Sequence, residues 1–261
     1  MAEGAHVVMA CRNMEACSLT QQELQQRQLP GTCQCCRLDL ADLESVRSFA
    51  KQQQEELQSS KQPLQVLVNN AGVMGLGPGP DGSNQHLTIN HYGPFLLTNL
   101  LLPCMEPGSR IVNVASRAHL WGRLQVKDGG VVPGWSNWFP EYAQSKLCNV
   151  LFTAELQRRL QGQGILATSV SPGFVNTTIF RSLPSWLGRL ATAAAPSIAR
   201  TPAEGAQVAV YAATSPSLDT QQPAPLFLHD CKPMPPAKLA EDRQLAADLW
   251  EASAAAVGWK E

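Results

Sequence analysis

Short apolar runs alternate along this chain with longer segments in which apolar residues recur every three to four positions. The first pattern is typical of buried strands, and the second is typical of helices that cover a sheet. The short runs predict strands at 4–11, 32–38, 64–68, 111–116, 165–170 and 226–229. The longer segments predict helices over 13–28, from 42 onward, through 90–102, and over 142–161, 201–213 and 237–257. We therefore expect one α/β domain spanning residues 1–261.

The composition fits one sizeable globular domain and argues against two classes of partner. The chain has 261 residues, of which 44% are hydrophobic and 16% charged. A net charge of -1 and a pI near 6.5 give no general attraction to nucleic acid. No apolar run approaches the roughly 20 residues of a membrane span, and the N-terminus lacks the layout of a signal peptide. We expect no membrane span and a cytoplasmic protein.

The eight cysteines include one C-x-x-C pair, formed by Cys33 and Cys36. A zinc site needs a second pair of ligands, and none with suitable spacing appears in the sequence, so we predict no metal. The pair lies in a predicted strand, where positions 33 and 35 share one face and thiols act as small hydrophobic groups. We predict that these cysteines pack in the core and that the compartment is reducing.

A serine, a tyrosine and a lysine form the strongest candidate site. Tyr142 and Lys146 are four residues apart on a predicted helix and therefore share one helix face. A free phenol has a pKa of about 10, and a nearby ammonium group would lower it toward neutral pH. Ser116 ends a predicted strand, where open α/β sheets bind their ligands. These groups suit proton transfer to a carbonyl or from an alcohol.

Three further motifs accompany this group: N-N-A-G at 69–72, T-I-N-H-Y-G at 88–93 and S-P-G-F-V-N-T at 171–177. With them, the sequence resembles the short-chain dehydrogenase/reductase family, in particular its retinol dehydrogenase-like branch. The resemblance covers nearly the whole chain. It implies a Rossmann-like, doubly wound parallel sheet with helices on both faces, and an oxidoreductase that interconverts a carbonyl and an alcohol.

The resemblance also implies a role for each catalytic residue. Tyr142 would donate a proton to the carbonyl oxygen, and Lys146 would lower the phenol pKa and bind the nicotinamide ribose. Ser116 would hold and polarise the substrate oxygen. Asn90 would hold a water beside the lysine in a proton relay. A simpler interpretation of Asn90 is a polar residue that bonds to backbone and kinks its helix.

The cofactor implied by the resemblance is a nicotinamide dinucleotide. Arg12 follows the first predicted strand, where an acidic residue would select NAD, and its guanidinium suits a 2′-phosphate. We therefore expect NADP(H), with NAD as the alternative if Arg12 is only a solvated charge. By resemblance, Asp39 contacts the adenine amino group and Thr177 the nicotinamide carboxamide. The full predicted set is Arg12, Asp39, Leu40, Asn69, Ala71, Gly72, Tyr142, Lys146, Pro172, Gly173 and Thr177.

One part of the family pattern is missing from this sequence. A dinucleotide fold opens with a strand and a glycine-rich turn that holds the pyrophosphate. No such turn precedes the predicted strand at 4–11, which corresponds to the second strand of the family. The absent strand is central in the family sheet, so we expect two inner strand edges without a partner. An alternative function is therefore a truncated, non-catalytic member that acts through protein contacts or is inactive.

The remaining expectations concern substrate, oligomer and a rival chemistry. Trp121, Trp135, Trp138 and Phe139 form either the rim of a pocket for a small apolar substrate or the packing of a loop onto the domain. Residues 180–198 correspond to the family's substrate lid. The resemblance suggests a homodimer through helices 91–102 and 142–161. A hydrolase using Ser116 with His91 or His119 is disfavoured because no G-x-S-x-G elbow is present.

Overall fold

The computed structural model describes residues 4–79, 82–132, 137–175, 199–221 and 223–260. Strands and helices alternate through most of the chain, as the hydrophobic pattern predicts. The strands are β1 (His6–Cys11), β2 (Thr32–Arg37), β3 (Val66–Asn69), β4 (Arg110–Val114), β5 (Val126–Lys127), β6 (Gly130–Val131), β7 (Leu166–Ser171), β8 (Phe227–His229) and β9 (Lys232–Pro233).

The α-helices are α1 (Met14–Gln26), α2 (Leu43–Ser60), α3 (Gln85–Leu87), α4 (Gly93–Leu101), α5 (Trp138–Arg159), α6 (Pro202–Thr214) and α7 (Arg243–Val257). A π-helical turn, Thr88–Tyr92, joins α3 to α4, and short 3₁₀ helices include Arg117–Trp121 and Lys238–Glu241. Asn13, Asp42 and Thr201 cap α1, α2 and α6 with their side chains. The predicted terminal helix begins later than expected, because Asp242 caps α7 by accepting from the amide of Leu245.

The strands form two separate parallel arrangements. β1 pairs with β2 in parallel register from His6 opposite Thr32 to Cys11 opposite Arg37. The second sheet has the order β3-β4-β7-β8-β9, in which β3, β4, β7 and β8 are parallel and β9 is antiparallel to β8. Strands β5 and β6 form a small antiparallel hairpin. A largely parallel sheet with crossover helices confirms the predicted α/β class.

The two edges that the missing family strand would pair, one on β1 and one on β3, have no strand partner among the described residues. Val7 on β1 is 38% exposed and Val68 on β3 is 40% exposed, although β-branched residues of parallel strands are normally covered. Residues of both strands nevertheless pack against one hydrophobic cluster, β1 through Val8 and β3 through Leu67. The sheet is therefore interrupted where the resemblance predicts a missing central strand.

The second sheet carries helices on both faces, because successive residues of its strands point in opposite directions. Ile111 of β4 packs toward α4 and α5, in a cluster that includes Phe95 and Phe152. Its neighbour Val112 packs on the opposite side with Val208 of α6. This alternation confirms the doubly wound arrangement for the five-stranded part of the fold.

Helix α7 covers the helices through which the resemblance suggests dimerisation. His91 Nε2 lies 2.7 Å from Ser253 Oγ, and the guanidinium of Arg159 lies 4.2 Å from the ring centroid of Trp250. Phe95 also packs edge-on against Trp250, at 5.0 Å between ring centroids. A dimer that used the same face of α4 and α5 would have to displace α7. Within the described ranges, no helix combines the length and apolarity needed to cross a bilayer.

A disulfide between Cys17 of α1 and Cys35 of β2 corrects the prediction for the cysteine cluster. The expectation of a small hydrophobic thiol is wrong for Cys35, whose strand face points toward α1. It is right for Cys33 and Cys36, which are free and buried. Local sequence could not reveal the pairing because the two sulfurs meet only when α1 packs on β2, across a separation of 18 residues.

Candidate active site

Ser116 lies directly beyond the end of β4 and begins a 3₁₀ helix. Its Oγ accepts a hydrogen bond of 3.1 Å from the amide of Ala118, which makes it the N-cap of that helix. Accepting this bond leaves the hydroxyl proton of Ser116 available for donation to another oxygen. The serine is therefore held in one orientation at the carboxyl end of the sheet.

Tyr142 and Lys146 lie on the buried face of α5, and both point toward this end of the sheet. Tyr142 is 7% exposed and packs with Met74, Ala118 and Ala143. The ammonium of Lys146 lies 5.7 Å from the Tyr142 ring centroid and donates to the Val114 carbonyl at 2.9 Å. The structure thus brings the three predicted residues Ser116, Tyr142 and Lys146 together.

The direction of the Tyr142 pKa shift differs from the sequence-based expectation. Burial raises the pKa of the phenol, and a side-chain hydrogen bond with Ser116 opposes this rise. The prediction that Lys146 brings the phenol pKa down is therefore wrong for this structure. Burial instead lowers the pKa of Lys146 itself to about 8, because a cation is costly to desolvate. The group that assists Tyr142 here is the serine hydroxyl.

The buried lysine makes the stability of the protein depend on alkaline pH. The pKa of Lys146 is about 8 in the folded protein and 10.5 as its ordinary value. The folded state therefore prefers the neutral amine, and it becomes more stable as pH rises from 8 to 10.5. This stabilisation is complete above 10.5 and is lost as pH falls through 8. Between pH 7 and 9.5 we expect the free energy of unfolding to gain about 2 kcal/mol from this group. Urea unfolding of wild type and Lys146→Met measures this as a difference that grows with pH.

The matched control for this titration is Lys51→Met, because Lys51 is exposed on α2. It should follow the wild-type pH dependence. A Lys146→Met variant whose unfolding free energy runs parallel to wild type across this range would contradict the assignment of a buried, partly neutral lysine.

Asn90 lies within the π-helical turn and binds the backbone of Val73, the residue after the N-N-A-G segment. Its Oδ1 accepts from the Val73 amide at 2.7 Å, and its Nδ2 donates to the Val73 carbonyl at 3.0 Å and to Ser145 Oγ at 2.9 Å. These bonds agree with the simpler interpretation of Asn90 as a residue that bonds to backbone where the helix is irregular. Its Oδ1 keeps a second lone pair, so the relay stays a prediction.

Gly72 allows its segment to approach Asn90 and Lys146 closely. A Cβ atom at position 72 would lie 3.1 Å from Lys146 Nζ and 3.3 Å from Asn90 Oδ1. Asn69 donates to Thr98 Oγ1 at 2.9 Å and to Asn113 Oδ1 at 2.8 Å, so it ties β3 to α4 and β4. Gly72 therefore belongs to the same site as the lysine, and Asn69 acts by fixing the strand that leads to it.

The other predicted cofactor residues are distributed over two regions. Pro172 and Gly173 follow β7, and Gly173 has a φ of 81°, which favours glycine. Arg12, Asp39 and Leu40 lie at the carboxyl ends of β1 and β2, in the smaller sheet. Ala71 is exposed beside Gly72. Thr177, the lid at 180–198 and Trp135 lie outside the described residues.

The two sheets meet the same helix at their carboxyl ends. A Cβ atom at Gly93 would lie 2.5 Å from the Leu40 carbonyl oxygen, so Gly93 permits close contact between α4 and the chain after β2. Asp39 uses its Oδ1 to accept from the Ala41 amide at 3.0 Å, which shapes this turn. Arg12 is exposed. The adenosine-side and nicotinamide-side candidates therefore lie on the same end of the molecule, on either side of the interruption.

Two histidines beside the site were not predicted as functional. His86 is fully buried, packs edge-on to Tyr142 at 6.4 Å and donates from Nδ1 to the Glu141 carboxylate at 3.3 Å. Burial and the charge of Lys146 lower the pKa of His86 to about 4. Its Nε2 is buried without a partner in the part of the chain that is described. Glu141 is 55 residues from His86 in the sequence, so only the tertiary fold brings His86 to this carboxylate and to Tyr142.

His119 contacts Ser116 in a way that argues against hydrolase chemistry. Its Nδ1 lies 2.7 Å from the Ser116 backbone carbonyl, and its Nε2 accepts from the Ala237 amide at 3.1 Å. Both ring nitrogens are therefore engaged with backbone atoms, and neither is free to take a proton from Ser116 Oγ. His91 is bonded to Ser253, away from this serine.

Comparison with known proteins assigns the site to a family. Residues 1–188 match the short chain dehydrogenase family. The chain belongs to that family. This assignment confirms the resemblance found in the sequence, and with it the oxidoreductase class and the Rossmann-like fold.

The curated relatives of this family member support the same branch. It is 40% identical over 255 residues to human dehydrogenase/reductase SDR family member 13, covering 96% of this chain and 66% of the relative. It is 35% identical over 263 residues to mouse retinol dehydrogenase 11, covering 98% of this chain and 79% of the relative. The chain thus spans slightly less than two thirds of the length of the first of these relatives.

Two solved structures with the same fold are more than 25% identical to this chain. A Mycobacterium paratuberculosis protein is 28% identical, with a TM-score of 0.67, over 99% of this chain and 94% of that one. A metagenomic blue fluorescent protein in complex with NADPH is 26% identical, with a TM-score of 0.52, over 67% of this chain and 66% of that one. The family and this neighbour point to a nicotinamide cofactor.

The described residues fit one half of such a cofactor better than the other. The close approach at Gly72 and the buried ammonium of Lys146 suit a ribose and nicotinamide on the larger sheet. No glycine-rich turn follows a strand in the interruption between β1 and β3 within the described ranges. Backbone donors for a pyrophosphate at that point are therefore not contributed by these residues.

Proposed function

We propose that this chain, acting as one domain, is an NADP(H)-dependent oxidoreductase that interconverts a carbonyl and an alcohol on a small apolar molecule. The observation that carries the proposal is the convergence of Ser116, Tyr142 and Lys146 at the carboxyl end of the larger sheet. A buried phenol whose pKa rise is opposed by the Ser116 side chain, with a buried ammonium 5.7 Å from its ring, suits proton transfer to an oxygen atom.

The serine and the tyrosine would act on the same substrate oxygen. Ser116 Oγ accepts from the Ala118 amide, so its proton can be donated to a carbonyl oxygen and polarise it. Because burial raises the pKa of Tyr142, the phenol holds its proton at neutral pH and can transfer it to that oxygen during reduction. In the reverse direction the same side chain must first lose this proton, so alcohol oxidation should speed up with rising pH.

Lys146 and Asn90 would support this transfer from the other side of the phenol. Lys146, which donates to the Val114 carbonyl, keeps further protons for a ribose hydroxyl or a water. The free lone pair of Asn90 Oδ1 can accept from a water beside the lysine, which supports the proposed relay. A bound nicotinamide would supply the hydride. Lys146 and the backbone at Gly72, Pro172 and Gly173 would hold that nicotinamide and its ribose.

Aromatic side chains next to the catalytic elements support an apolar substrate. Trp121 is 63% exposed at the end of the 3₁₀ helix that begins after Ser116, and Phe139 is 39% exposed at the start of α5. Their ring centroids lie 6.4 Å apart, and Trp138 packs on Phe139 at 5.6 Å. Exposed aromatics on the two elements that carry Ser116 and Tyr142 suit the rim of an apolar pocket.

The proposal is tested by following carbonyl-dependent oxidation of NADPH with the purified full chain and a panel of apolar aldehydes and ketones. We expect turnover with at least one aldehyde, and faster oxidation of the matching alcohol as pH rises. Measurable NADPH binding without turnover of any carbonyl would contradict the proposed activity.

The exposed guanidinium of Arg12 is the basis for proposing NADP(H) over NAD(H). Replacing Arg12 with glutamine removes a charged donor for the 2′-phosphate, so we expect the Kd for NADPH to rise about 10- to 100-fold. The Kd for NADH should change little. Fluorescence titration with both cofactors measures this, and Arg27→Gln at the far end of α1 is the control. If Arg12→Gln binds NADPH with the same Kd as wild type, the proposed contact with the 2′-phosphate is refuted.

A second candidate is a non-catalytic role through protein contacts, which the interrupted sheet favours. Val7 and Val68 expose apolar surface on two strand edges, and such edges pair readily with an added strand. NADPH titration separates the two candidates. No detectable binding at millimolar NADPH by the folded chain would favour the second, whereas saturable binding favours the oxidoreductase.

A further inference from the structure

His119 joins the catalytic serine to a distant part of the chain. It is fully buried and lies in the 3₁₀ helix that begins after Ser116. Its ring packs on Phe227 of β8, with 4.5 Å between ring centroids. One ring nitrogen contacts the Ser116 carbonyl and the other contacts the Ala237 amide, 118 residues away. We call Ser116 and the 3₁₀ helix Arg117–Trp121 the serine turn. The imidazole therefore bridges the serine turn, β8 and the segment that leads into α7.

These contacts assign the protonation state of the ring. A backbone carbonyl only accepts and a backbone amide only donates, so Nδ1 must carry the proton and Nε2 must be bare. The imidazole is thus neutral, with its tautomer set by backbone atoms on both sides. Burial lowers the pKa of His119, which agrees with this neutral form.

The serine turn is held at several points, and His119 supplies the longest connection. The Ser116 carbonyl also accepts from the His119 amide at 3.0 Å, and Ser116 Oγ accepts from the Ala118 amide at 3.1 Å. Both of these bonds are local to the turn and would move with it. The bridge through the imidazole fixes the turn relative to β8 and Ala237, and hence relative to Tyr142, which Ala118 contacts.

We propose that His119, as the neutral Nδ1–H tautomer, is a positioning residue that holds the turn carrying Ser116 in place against Tyr142, so that the serine hydroxyl can donate to the substrate oxygen. The inference rests on the proposed function, since it concerns the serine of that site. A displacement of this hydroxyl by a fraction of an ångström would weaken its effect on the Tyr142 pKa without unfolding the protein.

Two substitutions separate positioning from packing. His119→Phe keeps an aromatic ring against Phe227 and removes both imidazole hydrogen bonds. His119→Asn places an amide nitrogen where Nδ1 lies, so it keeps a donor toward the Ser116 carbonyl and loses both the bond to Ala237 and the ring contact with Phe227. His91→Phe is the matched control, because His91 is also buried against phenylalanine rings but contacts Ser253.

The first readout is the titration of Tyr142, which needs neither cofactor nor turnover. It is measured by tyrosinate absorbance as a difference from Tyr142→Phe in each background, and the chain has only 3 tyrosines. Because the Ser116 hydrogen bond opposes the rise in the Tyr142 pKa, we expect His119→Phe to raise this pKa further, by about half a unit. His119→Asn keeps only the bond inside the serine turn, so it should raise this pKa as His119→Phe does, and His91→Phe should match wild type.

The second readout is turnover, with KM and kcat compared separately. We expect His119→Phe to lower kcat about tenfold with a smaller change in the KM for NADPH, and His119→Asn to show a similar loss because it also lacks the bond to Ala237. A folded His119→Phe with the wild-type Tyr142 titration would overturn the inference. If wild type itself shows no turnover, the proposed function fails while the titration still decides the role of His119.

Discussion

Replacing Tyr142 with phenylalanine should lower kcat by about 10²- to 10⁴-fold, the usual loss when a positioned acid is removed. The substitution deletes only the hydroxyl, and the ring keeps its contacts with Met74, Ala118 and Ala143. Folding and the Kd for NADPH should therefore stay close to wild type. Steady-state kinetics with NADPH and an apolar aldehyde, together with a fluorescence titration of NADPH, measure both quantities.

The matched control for this variant is Tyr211→Phe. The Tyr211 hydroxyl lies 2.8 Å from Ser217 Oγ in an exposed hydrogen bond on α6, and the residue has no role in the proposed site. Its kcat should equal that of wild type. Turnover by Tyr142→Phe at the wild-type rate would refute the assigned acid.

Replacing Gly122 with alanine should damage both stability and catalysis. Gly122 ends the 3₁₀ helix that begins after Ser116 and has an ordinary φ of -66°. Its new Cβ would lie 2.6 Å from the Ala143 carbonyl oxygen and 2.7 Å from Leu147 Cβ, both on α5. The helix that carries Tyr142 must then move away from the turn that carries Ser116. We expect a loss of about 1–3 kcal/mol in the free energy of unfolding from this overpacking.

The same displacement separates Ser116 from Tyr142, so kcat should fall about 10²-fold, as for a misplacement of about 1 Å. Thermal unfolding and kcat are measured side by side. Gly77→Ala is the control, since a Cβ at position 77 meets nothing within 4 Å. A Gly122→Ala protein with wild-type stability and kcat would mean that α5 and the serine turn are not in close contact.

The interruption in the sheet bears on both candidate functions. The residues that suit the nicotinamide end lie on the larger sheet, and Arg12, Asp39 and Leu40 lie on the smaller one. The two parts are connected by packing around a common hydrophobic cluster and by the contact between Leu40 and Gly93. We therefore expect the affinity for NADPH to depend on how firmly this packing holds the two sheets together.

The site was predictable from sequence where a short motif carries the chemistry. Tyr142 and Lys146 are four residues apart on one helix, so their proximity follows from helix geometry alone. Ser116 could be placed at a strand end from its apolar run, and the family resemblance joined it to them. His86 and His119 could not be assigned in this way, because their roles depend on partners that only tertiary packing brings close: Glu141, Tyr142 and Ala237.

By itself, the sequence determined the order of strands and helices, the family, and the candidate site formed by Ser116, Tyr142 and Lys146. These follow from local periodicity and short motifs. Only the tertiary structure decided the direction of the Tyr142 pKa shift, the disulfide between Cys17 and Cys35, and the covering of α4 and α5 by α7. Each of these depends on burial or on contact between distant segments, and neither quantity is encoded in residue spacing.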